Sequence, residues 1–214
     1  MMIVNPFKVM PASTKILMPF TVTSGLADVV SGHATTSTGS PTISMTQSRW
    51  GNGALYIDAG TSLKINSTST LNLNALAPFT FEFWVYNTRD TSNAGFISMR
   101  DTVVSYCPIV VQKNQFLIGN NELSSWVSWE TLTATIPLSQ WVHVALVGDG
   151  VNIKQYINGL VSGSVTHSNW TNGNNFLNIG RDPDDSFVGY INDLRFSNVA
   201  VYTANFTPPA ALAH

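Results

Sequence analysis

The segment Phe79-Thr-Phe-Glu-Phe-Trp-Val-Tyr86 decides the fold class, because its side chains alternate in character along the chain. One set is apolar and comprises Phe79, Phe81, Phe83 and Val85. The other set is mixed and comprises Thr80, Glu82, Trp84 and Tyr86. Successive side chains of a β-strand point to opposite faces of a sheet, so this pattern predicts a strand with one face in a core.

A later stretch predicts a central strand followed by a β-hairpin. Trp141-Val-His-Val-Ala-Leu-Val147 is apolar on both faces apart from His143, as expected inside a sheet. Val151-Asn-Ile-Lys-Gln-Tyr-Ile157 then runs into Asn158-Gly159 and out through Leu160-Val161. Asn and Gly tolerate the positive φ angles of a type I′ turn, so this pair predicts the tip of a hairpin.

The rest of the chain repeats the pattern of short strands divided by Gly, Asn, Asp and Ser. Further strand candidates are residues 54–58, 62–65, 95–99, 103–111, 115–119, 125–135, 176–179 and 188–196. Only residues 71–77 favour a short helical turn. Turn signals every ~8–12 residues predict an all-β sandwich or barrel in a single domain.

Composition excludes several classes of function. Charged residues make up 10% of the 214, against ~25% in ordinary soluble domains. The net charge is −2 and no basic cluster is present, which argues against nucleic acid as a partner. No basic amphipathic or ~20-residue apolar segment indicates membrane insertion. Cys107 is the single cysteine, so it is expected to be a small buried apolar side chain rather than half of a disulfide.

The two ends differ from the middle. We divide the chain into an N-terminal arm (residues 1–17), a domain (18–206) and a C-terminal tail (207–214). The arm lacks the apolar run of a secretory signal, and Pro6 and Pro11 discourage regular structure in it. Its apolar side chains predict packing on its own domain or docking on a partner, and they are Met1, Ile3, Val4, Phe7 and Met10.

Six motifs together resemble a known superfamily. In order they are Gly53-Ala-Leu-Tyr-Ile-Asp58, Phe79-Thr-Phe-Glu-Phe-Trp-Val85, Gln140-Trp-Val-His-Val-Ala145, Ile153-Lys-Gln-Tyr-Ile-Asn-Gly159, Leu177-Asn-Ile-Gly180 and Phe187-Val-Gly-Tyr-Ile-Asn-Asp-Leu-Arg-Phe196. They resemble the laminin-G-like, concanavalin A-like lectin/glucanase superfamily over roughly residues 20–206. The resemblance implies a jelly-roll sandwich of two antiparallel sheets. It also implies adhesion, glycan recognition or particle decoration, sometimes with calcium at the rim.

Catalysis is not expected. Glucanases of this superfamily place acidic residues two apart on one strand, whereas the three glutamates here, Glu82, Glu122 and Glu130, stand apart. Glu82 is expected to face solvent or a partner. His143 lies in a Trp-x-His-Val segment that recurs in the superfamily, and it is expected to be a hydrogen-bonded structural residue.

Calcium is the one cofactor that the resemblance suggests. Acids at the motif positions of Asp58 and Asp193 can meet near one rim in related domains, and Asn192 could add a ligand oxygen. In the alternative interpretation, Asp58 only forms a turn and Asp193 hydrogen-bonds across strands. The acidic turn Arg181-Asp-Pro-Asp-Asp185 is a second candidate.

Sugar binding would use aromatic side chains in polar surroundings. The candidates are Trp170, Trp126 and Trp129. Trp126 and Trp129 are three apart and would face opposite ways on a regular strand. Trp84 and Trp141 lie in strong strands and are expected in the core.

Two hypotheses of function remain. The segment Ala200-Val-Tyr-Thr-Ala-Asn-Phe-Thr-Pro208 resembles the form of this domain found in bacteriophage virion proteins. It favours a non-catalytic decoration or adhesion protein on the virion surface (capsid, tail or fibre), with other virion proteins as partners. The alternative is a free, lectin-like carbohydrate-binding module that uses either calcium or no cofactor. Exposed strand edges would also allow a homo-oligomer.

Overall fold

The computed structural model describes residues 11–73, 77–90, 95–100, 109–113, 115–120, 125–131, 135–166, 175–183 and 185–211. Within these ranges, seventeen β-strands and one 3₁₀ helix (Ser69–Leu71) make up the regular structure. No helix in this described part of the chain has the length and hydropathy needed to cross a membrane. The prediction of an all-β fold is confirmed.

Sheet A has eight antiparallel strands. Seven lie side by side in the order β13 (Leu160–Thr166), β12 (Asn152–Ile157), β11 (Trp141–Gly148), β6 (Phe79–Asn87), β17 (Gly189–Ser197), β4 (Ala54–Ile57) and β3 (Thr42–Ser44). The eighth, β1 (Thr14–Met18), pairs with the end of β17 that β4 does not reach. As a result, β1 and β4 lie end to end along the same side of β17.

Sheet B has nine strands. Seven lie in the order β10 (Ser125–Thr131), β9 (Gln115–Asn120), β8 (Ile109–Gln112), β7 (Gly95–Ser98), β14 (Leu177–Ile179), β5 (Ser62–Ile65) and β2 (Thr35–Thr38). The short strands β15 (Arg181–Asp182) and β16 (Asp185–Ser186) pair with each other beside β7.

The core fills the space between the two sheets. The apolar set of β6 points into it, and Phe83 of sheet A meets Phe96 of sheet B with ring centroids 6.1 Å apart. Phe96 in turn contacts Phe187 at 5.2 Å. The two-sheet jelly-roll sandwich expected from the resemblance is therefore present.

The hairpin between β12 and β13 forms as predicted. Asn158 and Gly159 have φ angles of 49° and 79°, and the two strands pair directly on either side of them. Positive φ angles at both positions agree with the type I′ turn that Asn158-Gly159 predicts.

The proposed boundary of the N-terminal arm at residue 17 is wrong. Residues 14–17 belong to β1, where Ile16 and Leu17 are fully buried against β17. The sequence hides this strand because most of its side chains are buried, and a strand covered on both faces shows no alternation. The docking candidates Met1, Ile3, Val4, Phe7 and Met10 lie outside the described residues.

Two of the strand candidates are described only in part. The candidate 103–111 is described from Ile109, and the candidate 125–135 is described as a strand over Ser125–Thr131, with residues 132–134 outside the described residues. β2 and β3 were missed because they are short, rich in Thr and Ser, and mostly exposed. Cys107 lies outside the described residues.

Candidate functional site

The outer face of sheet A, which points away from the core, carries a row of aromatic side chains across four neighbouring strands. The backbone register pairs Tyr56 of β4 with Tyr190 of β17. It pairs Tyr190 with Tyr86 of β6, and Tyr86 with Trp141 of β11. Successive ring centroids are 5.0, 6.0 and 5.7 Å apart. We call these four residues the aromatic row.

Strand alternation places the aromatic row outside. Leu55 and Ile57, on either side of Tyr56, are fully buried in the core, so the tyrosine must point outward. Tyr190, in the middle of the row, is 9% exposed, whereas Tyr56, Tyr86 and Trp141 are each partly open to solvent. Three strand spacings make the row about 14 Å long. The expectation that Trp141 lies in the core is wrong, because it is the outward residue at the first position of β11.

The Tyr190 hydroxyl, in the middle of the row, remains protonated. Burial, followed by the neighbouring Tyr56, raises the pKa of Tyr190, although a hydrogen bond with Ser44 acts in the opposite direction. The row therefore offers apolar ring faces and, at Tyr190, a neutral hydroxyl group. Polar residues flank it, because Thr42 pairs with Tyr56 and the exposed Gln140 precedes Trp141.

The next row of outward-facing side chains, two residues further along the strands, is covered by a loop. Trp84 pairs with His143 on β11, and their ring centroids are 5.2 Å apart. The Arg49 guanidinium lies 4.3 Å from the centre of the Trp84 ring, and Trp50 meets the same ring edge-on at 5.8 Å. Trp84 is consequently 5% exposed, as predicted for a buried residue, although it lies outside the main core.

The third row contains a buried cluster of charged and polar groups. Glu82 Oε1 accepts hydrogen bonds from the Arg195 guanidinium, with a distance of 2.8 Å to Nε. Glu82 Oε2 accepts one from the Tyr202 hydroxyl at 2.8 Å and lies 3.2 Å from His143 Nε2. Because a carboxylate only accepts, His143 Nε2 must carry the proton. We call Glu82, His143, Arg195 and Tyr202 the Glu82 cluster.

The expectation that Glu82 faces solvent or a partner is wrong. Its side chain is fully buried, and partners from β11, β17 and the segment after β17 occupy both of its oxygens. Burial raises the pKa of Glu82, but the His143 hydrogen bond and the Arg195 charge outweigh burial, so the pKa lies below its ordinary value. The structural role expected for His143 is confirmed.

A segment after β17 covers this part of the sheet. We call residues 199–208 the C-terminal strap. Thr80 Oγ1 donates to the Val199 carbonyl at 2.8 Å, and the Phe206 amide donates to the Gly159 carbonyl at 2.9 Å. The rings of Tyr202 and Phe206 stack with their centroids 3.5 Å apart. The strap therefore buries the Glu82 cluster, while the aromatic row keeps three partly exposed side chains.

This architecture agrees with a family comparison. The model of the concanavalin A-like lectin/glucanases superfamily matches residues 53–205. The chain belongs to this superfamily. Comparison with curated proteins finds no match.

Solved structures of other lectin-like domains share the fold. Domain 4 of AbnA, a GH43 extracellular arabinanase from Geobacillus stearothermophilus solved with arabinotriose, is 18% identical, with a TM-score of 0.68. The match covers 89% of this chain and 94% of that domain. The binding domain of botulinum neurotoxin serotype C1 is 14% identical, with a TM-score of 0.67. The binding domain of botulinum neurotoxin DC in complex with SialylT is 14% identical, with a TM-score of 0.64. In both cases the match covers 89% of this chain but only 49% of the toxin chain.

In this lectin-like domain, the calcium candidates Asp58 and Asp193 do not meet. The β4–β17 register puts Asp58 beyond Gly189 at one end of the pair, and Asp193 beyond Ile191 at the other. Since each residue advances a strand by ~3.4 Å, the two acids are roughly 15 Å apart or more. Among the described residues, no group of three or more His, Cys, Asp or Glu side chains could hold a metal ion.

These residues instead shape the backbone. The Asp58 carbonyl accepts a hydrogen bond from the Thr61 amide, which closes the turn after β4. Asn192 Nδ2 donates to the Pro19 carbonyl at 2.6 Å, and Asp193 has a φ of 48° at a break in the β17 register. These bonds agree with the turn interpretation of Asp58, and Asn192 joins β17 to the chain that follows β1.

In the second calcium candidate, residues 181–185, Asp182 is held by protein contacts. Asp182 is buried and accepts hydrogen bonds from Ser98 Oγ at 3.0 Å and Arg100 Nη1 at 3.2 Å. Asp184 lies outside the described residues. Asp182 is thus a buried partner of Arg100.

Sugar binding by the three tryptophans remains a prediction. Trp126 and Trp129 lie in β10, where they pair with Gly119 and Leu117. The register shifts between Trp126 and Ser128. Trp170 lies outside the described residues. The sequence contained a signal for the aromatic row, namely tyrosines at outward positions, but not the register that aligns them.

Proposed function

We propose that this chain is a non-catalytic carbohydrate-binding domain whose aromatic row contacts the glycan. The observation that carries the proposal is the alignment of Tyr56, Tyr190, Tyr86 and Trp141 on a partly exposed sheet face. The π faces of aromatic rings are negative, and the C–H edges of a sugar ring are slightly positive, so the two attract when they stack. A row about 14 Å long is long enough for more than one sugar ring.

The fold supports the same function. The arabinanase domain that resembles this chain was solved with an oligosaccharide, and one of the toxin binding domains was solved with SialylT. Glu82 is buried and bonded to the other members of the Glu82 cluster, so it cannot act as an acid or base on a ligand at the surface.

The test is a glycan array that includes neutral oligosaccharides such as arabinotriose, followed by calorimetry with the best ligand. We expect Tyr56→Ala to weaken binding by about 1 kcal/mol, or about fivefold in Kd, since one stacked ring is lost. Tyr56→Phe keeps the ring and should bind almost as well. Failure of every neutral glycan, or equal affinity for Tyr56→Ala and the unaltered chain, would overturn the proposal.

A finer proposal places the domain on the surface of a bacteriophage virion, as a decoration or adhesion protein. The resemblance of residues 200–208 to the form of this domain in bacteriophage virion proteins supports it. These residues lie in the C-terminal strap, which packs on Tyr156 and Gly159 of the domain. Density-gradient separation of source material with mass spectrometry tests it. A constant ratio to a capsid or tail protein in the particle band would support the proposal, and recovery only as free protein would contradict it.

A further inference from the structure

A loop beside the aromatic row presents an arginine at the surface. We call residues 45–53, which join β3 to β4, the Arg49 loop. Ser44, the residue before it, forms a hydrogen bond with Tyr190 of the aromatic row, so the loop begins next to the row. The loop then covers Trp84, against which Arg49 and Trp50 pack.

Hydrogen bonds hold the Arg49 loop in place. Ser48 Oγ accepts a hydrogen bond from the Gly53 amide at 2.9 Å. The Val22 amide donates to the Asn52 carbonyl at 2.8 Å, which ties the loop to the chain that follows β1. Gly53 has a φ of 107°, and a Cβ at this position would lie 2.7 Å from Ile43 Cγ2, so the packing requires glycine. The loop is therefore ordered before a ligand binds, which reduces the entropy cost of binding.

The Arg49 side chain packs on two tryptophan rings. Its guanidinium lies 4.3 Å from the centre of the Trp84 ring and 5.5 Å from that of Trp50. The attraction between a cation and a π face uses no N–H group as a hydrogen-bond donor. Within the described chain no carboxylate pairs with Arg49, whereas Arg100 and Arg195 both bind buried carboxylates. Arg49 is exposed, so its N–H groups are accessible to a ligand.

The two carboxylates nearest to Trp84 along the strands are buried. Glu82, two residues before Trp84 on β6, is bound by Arg195. Asp193 follows the residue of β17 that pairs with Trp84, and it is also fully buried. Neither forms an ion pair with Arg49, so a ligand at the surface would contact the arginine and not these carboxylates.

The other acidic residues are distant from Arg49, bound elsewhere, or part of sheet B in sequence. Asp58 lies on the far side of the aromatic row, roughly 14 Å along the strands from Trp84, because Tyr56 is level with Tyr86. Four more carboxylates have partners in the chain: Asp28 with His33, Asp90 with Lys113, Asp182 with Arg100, and Asp149 with backbone amides. The acids whose side chains are not described fall within strands of sheet B or between two of them, and they are Asp101, Glu122, Glu130, Asp184 and Asp185.

The chemistry of Arg49 favours a carboxylate as its ligand. The N–H groups of a guanidinium match the two oxygens of a carboxylate, and such a charge-assisted bond is roughly twice as strong as a neutral one. Trp84 and Tyr86 are successive outward-facing residues of β6, about 7 Å apart along the strand. An acidic substituent on a sugar that stacks on Tyr86 can therefore reach Arg49.

We propose that Arg49 determines the specificity of the glycan site, by selecting oligosaccharides that carry a carboxylate, as those of uronic acids do. This inference rests on the proposed function, because the sugar rings stack on the aromatic row. The row supplies affinity for acidic and neutral sugars alike. Arg49 adds affinity only where a carboxylate lies beside Tyr86.

The test compares matched pairs of trisaccharides by calorimetry at low salt. Trisaccharides of galactose, glucose and mannose are each paired with the trisaccharide of the corresponding uronic acid in the same linkage, so that a carboxylate replaces CH₂OH. We expect the acidic member of at least one pair to bind about tenfold more tightly, because it gains a charge-assisted hydrogen bond. High salt should reduce this advantage, since the contact lies at the surface. Acidic members that bind no more tightly than neutral ones in all three pairs would overturn the inference.

Substitutions of Arg49 distinguish contact with the ligand from support of the loop. Arg49→Gln should weaken binding of the acidic member about tenfold, to the level of the neutral member, and leave the neutral member unchanged. Arg49→Lys keeps the charge but not the paired N–H groups, so its affinity for the acidic member should be intermediate. Arg181→Gln is the matched control, since Arg181 is an exposed arginine on sheet B, and it should leave both affinities unchanged. Equal weakening of both members by Arg49→Gln would mean that Arg49 only supports the loop over Trp84, and it would overturn the inference.

The inference and the proposed function can be told apart when they fail. If neutral trisaccharides bind through Tyr56 and their acidic partners bind no more tightly, only the role of Arg49 is rejected. If the acidic members bind Tyr56→Ala as tightly as the unaltered chain, the aromatic row and the role of Arg49 beside it are both rejected.

Discussion

Substitution Glu82→Gln tests whether the Glu82 cluster holds a buried anion. Gln has nearly the same shape, so the core and the strap need not repack. The amide, however, carries no charge to balance the Arg195 guanidinium, whose side chain is only 12% exposed. Removing one partner of a buried ion pair typically destabilises a protein by 3–5 kcal/mol. We expect a loss at the lower end, about 3 kcal/mol, because Tyr202 and His143 can turn to accept from the amide.

Equilibrium unfolding in urea at pH 7 measures the loss, and a thermal scan should show Tm lowered by about 6–12 °C for a domain of this size. Asp90→Asn is the control, since Asp90 is 73% exposed and pairs with Lys113 at the surface. That pair should contribute less than about 1 kcal/mol.

Acidic pH should reduce the difference in unfolding free energy between the unaltered chain and Glu82→Gln. The pKa of Glu82 is lower in the folded chain than its value of about 4.3 when unfolded. Its stabilising contribution is therefore complete above that pH, and it is lost as the pH falls through the folded pKa. Near pH 3 the difference in unfolding free energy between the unaltered chain and Glu82→Gln should shrink. A loss no larger than that of Asp90→Asn at pH 7, or a gap that stays constant on acidification, would refute the assignment of a buried carboxylate.

Two further predictions concern the strap and calcium. Gly159→Ala should destabilise the domain by more than Gly51→Ala, although both glycines have φ near +79°. A Cβ at Gly159 would lie 1.9 Å from the Phe206 carbonyl oxygen, whereas a Cβ at Gly51 would meet nothing within 4 Å. Unfolding free energies measure both variants, and equal losses would mean that the strap does not rest on Gly159. Asp58→Asn should leave any calcium dependence of Tm unchanged, because Asp58 lies far from Asp193, and a calcium shift abolished by this variant would contradict the register.

The sequence predicts those parts of the fold that depend on residues close together in the chain. Alternation over residues 79–86 predicts β6, and Asn158-Gly159 predicts a hairpin, because a strand face and a tight turn depend on local residues. β1 was missed since burial on both faces removes its alternation. The same burial erases the signal that an amphipathic strand would give.

The candidate site depends on contacts between residues far apart in sequence. Tyr56 and Tyr190 become neighbours only through the β4–β17 register, which no local pattern encodes. Glu82 was placed at the surface because a lone carboxylate is rarely buried unless it is paired. Its partners come from three separate segments, so the pairing is visible only in the folded chain.

The course of the strap explains why the aromatic row is left open. The strap binds Thr80, then Glu82, and then meets His143 with Phe206, so it advances along sheet A toward Tyr86. Its last residue, Pro208, lies beside Gly159 in the turn between β12 and β13, and these two strands contribute no side chain to the aromatic row. Contiguous aromatic surface exposed to water is unfavourable and in soluble proteins marks interaction sites. An open row beside a tightly covered face is therefore better explained by a ligand than by incomplete packing.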